Sequence, residues 1–157
     1  MILDELLEFA DATSVAAGAG TALIGDVIDL GATPQDLGVG RQMFLVIQTD
    51  TSIITGGSAG TIKFQLASDA QAAIATDGSA TVHIDTGTFV TDGDDANDLD
   101  AGAYIFVGAL PSGAARAYER YLGILATIAT TTVTAGAINA FLTYDLKYWK
   151  AYADGNN

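Results

Sequence analysis

The segment that most narrows what this chain can fold into is Thr61-Ile62-Lys63-Phe64-Gln65-Leu66. In an extended chain Ile62, Phe64 and Leu66 fall on one side, with Lys63 and Gln65 on the other. A helix gathers residues three and four apart and offers no common face to this spacing. A strand with one wet face is therefore expected here. Six further segments read the same way. Asp26 to Leu30 is a short strand before a turn at Gly31, and Met43-Phe44-Leu45-Val46-Ile47 is a continuous apolar run that suits a strand covered on both sides. Thr81 to Ile84, Ala103 to Val107, Tyr121 to Ile128 and Ala137 to Tyr144 complete the series.

Turn clusters separate these segments: Gly56-Gly57-Ser58-Ala59-Gly60, Asp77-Gly78-Ser79, Asp92-Gly93-Asp94-Asp95 and Pro111-Ser112-Gly113. Several short strands punctuated in this way predict a sandwich or a barrel. The composition points the same way. There are 16 Asp but only 3 Glu and 3 Lys, alongside 18 Gly and 18 Thr, whereas helix exteriors are built from Glu, Lys, Arg and Gln. Two stretches have some helical character, Asp4 to Asp11 and Ala70 to Ala75 after Ser68-Asp69. Both are too short to stand as helices alone and read as arm and loop. With 41 Leu, Ile, Val and Phe among 157 residues, the chain has enough apolar mass for one folded domain over residues 1–157.

Charge is scarce and one-sided: 19 acidic against 6 basic residues, net −13. Such a field repels phosphate backbones and anionic bilayers, so neither nucleic acid nor membrane is expected as a partner. A surface so poor in charge suggests cover by a partner or by sister subunits. The start, Met1-Ile2-Leu3-Asp4-Glu5-Leu6-Leu7-Glu8, is acidic where a signal peptide is basic, and synthesis in the cytoplasm is expected.

The residues that carry chemistry are few. His83 is the only histidine and there is no cysteine, so a zinc site lacks ligands. A Ser-His-Asp triad would have to use His83, with Asp85 two positions on and on the same face of a strand; a strand histidine meeting a neighbour is the plainer reading. Gly38-Val39-Gly40 and Gly56 to Thr61 lack the residues that would make them phosphate-binding loops. One acidic loop, with Asp92, Asp94, Asp95, Asp98 and Asp100, has oxygen ligands of the kind calcium takes, although their spacing is not that of an EF-hand. The other reading is a solvated loop, and no cofactor is expected.

The order of segments resembles the Bbp16-type capsid cement (decoration) proteins of tailed bacteriophages. The resemblance is carried by Ile2-Leu3-Asp4, Phe9-Ala10-Asp11-Ala12, Val27-Ile28-Asp29-Leu30-Gly31 and Leu37-Gly38-Val39-Gly40 leading into Phe44-Leu45-Val46-Ile47. It continues through Leu110-Pro111-Ser112-Gly113, Arg120-Tyr121-Leu122 and Thr134 to Thr143. Gly113 to Glu119 and the loop around Asp94 depart from the pattern as elaborations. The resemblance implies an all-β jelly-roll sandwich, here with an extended N-terminal arm over residues 1–20. It further implies a homo-oligomer, dimer or trimer, on the outer surface of a virion whose major capsid protein has the HK97 fold, and no catalytic residues.

Contact with the capsid or with sister subunits is expected from the apolar arm, Ile2, Leu3, Leu6, Leu7 and Phe9. Two further sources are Arg116 with Arg120, and the aromatic tail with Tyr148 and Trp149. Arm and tail have a competing use, which is to pack on their own sandwich. The alternative function is a carbohydrate-binding β-sandwich of the lectin or fibre-head kind, for which Trp149 and its neighbouring tyrosines would be the platform. An enzyme would have to work with carboxylates alone, Asp94 and Asp98 for example.

Overall fold

A computed structural model describes residues 5–33, 37, 40–56, 60–91 and 99–146. These form nine strands: β1 (Glu8–Ser14), β2 (Gly20–Asp29), β3 (Phe44–Thr55), β4 (Thr61–Asp69), β5 (Thr81–Asp85), β6 (Phe89–Val90), β7 (Tyr104–Ala109), β8 (Tyr121–Ala129) and β9 (Val133–Thr143). The one helical element among the described residues is a 3-10 turn at Glu5–Leu7. The strands lie in two antiparallel sheets, ordered β1-β9-β3-β7 and β2-β8-β4-β5, with β6 added to β4. Setting β6 aside, the pairings nest: β1 with β9, β2 with β8, β3 with β7, β4 with β5. A chain folded into one long hairpin and then rolled up gives this order, which is the jelly roll.

Alternation places the core. From β4 come Ile62, Phe64 and Leu66, from β8 Leu122, Ile124, Ala126 and Ile128, from β3 Leu45 and Ile47, and from β9 Ile138, Ala140 and Leu142. All are buried between the sheets, and Tyr118 and Leu110 close one end. The opposite parity of β8, β4 and β2 presents Leu125, Ala67, Leu23 and Val27 to the outside. There the β4–β5 loop brings Ile74 down on them as a small second core. Asp69 shapes that loop by accepting the backbone N–H groups of Gln71 and Ala75, at 3.1 and 3.0 Å. Its carboxylate thus spends its lone pairs on a turn in place of the helix that Ala70 to Ala75 hints at.

The N-terminal arm is shorter than the expected residues 1–20. From Glu8 onward the chain is strand β1, paired with β9 along Glu8–Phe141, Ala10–Ala140, Thr13–Ile138 and Ser14–Ala137. Phe9 is 1% exposed and belongs to the core. The segment escaped the alternation test because two bulges break its register and Ala12 sits at a φ of 44°, so its in–out pattern is irregular. Strand β2 also begins earlier than the expected Asp26, at Gly20. Its bulge falls between Ile24 and Ile28, where Gly25 adopts a φ of +66°.

Candidate functional site

The expected contact residues end up in different parts of the molecule. Leu6, in the 3-10 turn ahead of β1, is 79% exposed and is the most exposed large apolar side chain described. Leu7 packs partly against the core, and Phe9 lies inside it, out of reach of another subunit. Its place follows from β1: once Glu8 pairs across from Phe141, the next side chain turns inward. Ile2, Leu3, Asp92, Asp94, Asp95, Asp98, Tyr148 and Trp149 lie outside the described residues, as does any site they would form. Asp100 is exposed, and among the described residues no three acidic or histidine side chains converge as a metal requires.

Both expected arginines already have partners in their own chain. Arg120 makes a two-pronged contact with Asp29, Nε to Oδ1 at 2.9 Å and Nη2 to Oδ2 at 2.8 Å, and lies over the Tyr121 ring. That guanidinium and the backbone N–H of Gly31 hold the Asp29 carboxyl down at about 2. Arg116 donates to the Val82 carbonyl at 3.1 Å. These bonds tie the β7–β8 connection to β2 and β5, so each arginine fastens a loop.

A polar cluster beneath that connection is the most chemical-looking place described. Ser68 Oγ and His83 Nε2 are 2.7 Å apart, and the Glu119 backbone N–H donates to Ser68 Oγ at 3.0 Å. The Glu119 N–H takes one lone pair of Ser68 Oγ, which keeps a second lone pair and its hydrogen, so the donor in the contact with His83 Nε2 follows from the imidazole tautomer. Thr81 Oγ1 donates to Glu119 Oε1 at 2.8 Å. The Tyr118 ring stacks on His83 with centroids 4.0 Å apart, and its hydroxyl donates to the Pro111 carbonyl at 2.8 Å. Burial, helped by the nearby Arg116 charge, pushes the His83 pKa below its ordinary 6.5 against the pull of Glu119. Burial also lifts the Tyr118 hydroxyl to about 12.

This serine and histidine have the spacing of a nucleophile and its base, but Ser68 is 0% exposed and a substrate atom has no approach to it. Asp85 does not complete a triad. The register shift between Leu66 and Ala67 makes His83 the extra residue of a bulge, so the two no longer share a face in the expected way. Asp85 instead accepts from Lys63 at 3.2 Å, Gln65 at 2.7 Å and the Gly87 N–H at 2.9 Å. Sequence reading had no signal for the cluster, because Ser68 is 15 residues from His83 and 51 from Glu119. Only the pairing of β4 with β5 assembles it.

The cluster has a titration consequence. A neutral His83 is favoured by the fold, so its contribution is complete above pH 6.5 and is lost as pH falls below that value. Asp29, held low, keeps its contribution above about pH 4 and loses it as pH drops toward 2. Melting temperature followed from pH 8 to pH 2 should therefore fall in two stages. His83→Gln should remove the upper stage and Asp29→Asn should weaken the lower, to which Asp77 and Asp85, also held below the usual carboxylate range by their hydrogen bonds, contribute; a profile unchanged by either substitution contradicts these assignments.

The family comparison bears on the whole body. The family model Bbp16 matches residues 9–142, which run from the second residue of β1 to the penultimate residue of β9. No curated protein matches the chain. With both sheets and every connection between them inside the match, the chain belongs to the Bbp16 family, a family of phage structural proteins.

Proposed function

We propose that this protein is a capsid cement protein: a non-enzymatic jelly roll that binds the outer surface of a phage shell of HK97 fold and bridges neighbouring capsid subunits. The observation that carries the reading is the Bbp16 match over the full sandwich. The polar cluster supports it, since the one serine–histidine pair described is closed off and serves to fasten a loop. A shell under internal pressure fails where subunits slide apart. A protein that touches several subunits at once raises that barrier even when each contact is weak, because the second contact is made within one complex.

Leu6 is the first contact to test. It stands ahead of the β1 edge, exposed, in the 3-10 turn Glu5–Leu7 outside the strands. Burying a leucine in a partner is worth about 1.5–3 kcal/mol. Leu6→Asp should therefore weaken attachment to empty shells by roughly tenfold or more. Its effect on unfolding should stay within about 0.5 kcal/mol, as for a surface change. Sedimentation of the purified protein with shells lacking it, followed by heating of the decorated particles, measures both attachment and reinforcement. Failure to co-sediment, or decorated shells that break at the same temperature as bare ones, overturns the proposal. A glycan array with a reproducible signal that Trp149→Ala abolishes would favour the carbohydrate reading.

A further inference from the structure

A strand at the edge of a sheet presents a row of unpaired N–H and C=O groups, and folded proteins blunt such edges with charge, bulges, proline or cover. Most edges of this sandwich are blunted. Strand β1 carries Glu8 and Asp11 and two register shifts, and β2 carries Asp26, Asp29 and the bulge at Gly25. At β5 a bulge at His83 breaks the line, Asp85 adds charge, and Arg116 donates to the Val82 carbonyl. Strand β6 is only two residues long. Strand β7, the last of the β1-β9-β3-β7 sheet, is different. Its one register shift lies at the Tyr104 end, and residues 106–109 run unbroken beside β3. No charged residue occurs from 101 to 115, in a chain of net charge −13.

The phase of the β3–β7 ladder fixes which groups are open. The Leu110 N–H donates to the Met43 carbonyl at 2.9 Å, and in the same register Leu45 stands opposite Gly108, Val46 opposite Val107 and Phe44 opposite Ala109. In an antiparallel pair, opposed residues that exchange both bonds alternate with opposed residues that exchange none. Leu110, Gly108 and Phe106 therefore bond to β3. Val107 and Ala109 turn their N–H and C=O groups the other way, where no further described strand stands. Both residues are exposed, Val107 at 46%. Asp100 and Arg116, also exposed, bracket the uncharged stretch, acid before the Tyr104 end and base beyond the Leu110 end. Antiparallel pairing of this edge with itself sets the acidic end of each copy beside the basic end of the other. That order of signs makes a second copy of the chain the fitting strand.

We propose that two copies of the protein pair edge to edge through β7, antiparallel about a two-fold axis near Val107 and Gly108, so that their four-stranded sheets join into one continuous sheet. The open N–H and C=O groups of Val107 and Ala109 are then bonded across the axis, and the exposed Val107 side chains of the two copies become neighbours on one face. The inference stands apart from the cement reading, since it concerns the free protein in solution.

Sedimentation equilibrium of the full chain over a range of concentrations measures the association, and amide hydrogen exchange locates it. The expected result is a species of twice the chain mass, with exchange at the Val107 and Ala109 amides several-fold slower at high concentration than at low. Ala109→Pro removes one open N–H and none of the bonds to β3, and proline is tolerated on an edge strand. It should return the protein to a monomer while circular dichroism keeps its β signature. Should that variant not fold, Val107→Lys puts a charge on the pairing strand and gives the same comparison. A monomer at every concentration overturns the proposal, as does a trimer. So does a dimer that a folded variant leaves intact, or one in which exchange at Val107 and Ala109 ignores concentration, because the contact then lies on another surface.

Discussion

Phe9→Ala should cost about 3–5 kcal/mol of folding stability, the range for emptying a fully buried phenylalanine site. In urea this would lower the unfolding midpoint by roughly 2 M, given slopes of about 1–3 kcal/mol per M for small proteins. The physical reason is the position of β1. Phe9 follows Glu8, which pairs with Phe141, and so turns inward to meet the core. Leu6, three residues earlier, is exposed. An N-terminal arm that served only to grip a partner would leave the isolated protein indifferent to both substitutions. The contrast between Phe9→Ala and a silent Leu6 substitution, measured on the purified chain, decides where the arm ends. Equal and small effects would mean β1 is not held in the sandwich. The same logic moves the informative truncation point: removal of residues 1–7 tests attachment, whereas removal of residues 1–11 also takes Phe9 and Ala10 from the core.

Gly25→Ala should be comparably damaging, by at least about 3 kcal/mol, for a change of one methyl group. Gly25 adopts a φ of +66°, where an L-residue is strained by roughly 1–2 kcal/mol. In addition, a Cβ at this position would lie 1.9 Å from the Phe9 carbonyl oxygen, and backbone cannot swing aside as a long side chain can. The β2 bulge exists to let β1 approach this closely at the corner where the two sheets meet. Gly78→Ala is the control: its φ is +93° but nothing lies within 4 Å of its added methyl group. It should show the conformational cost alone. If the two glycine substitutions lower the urea midpoint equally, the close approach of β1 to β2 contributes nothing.

Much of the sandwich was legible because its middle strands obey simple alternation. Ile62, Phe64 and Leu66 point inward, and Lys63 and Gln65 outward, as their spacing requires. The run from Phe44 to Ile47 lies in an interior strand with both sides covered, which is why its outward residue is also apolar. The strands that were misread are those where bulges interrupt the period: β1 with its two register shifts, and the start of β2 ahead of Gly25. Strand β6 is two residues long, below what any periodicity can reveal. Val82 and Asp29, which occupy Arg116 and Arg120, are distant from them in sequence, so the sequence alone leaves both arginines open to a partner.

What the sequence alone determined is the class of fold: period-two apolar segments broken by Gly, Asp and Thr turns bury their apolar side in an all-β body, as two packed sheets or one closed sheet. What only the tertiary structure decided is which residues meet. Ser68 with His83, Asp29 with Arg120 and Phe9 with the core all depend on strand pairing and on where the bulges fall. The reason is that alternation is a local property of one strand. Register is a relation between two strands, and each bulge shifts by one residue the face that every later side chain presents.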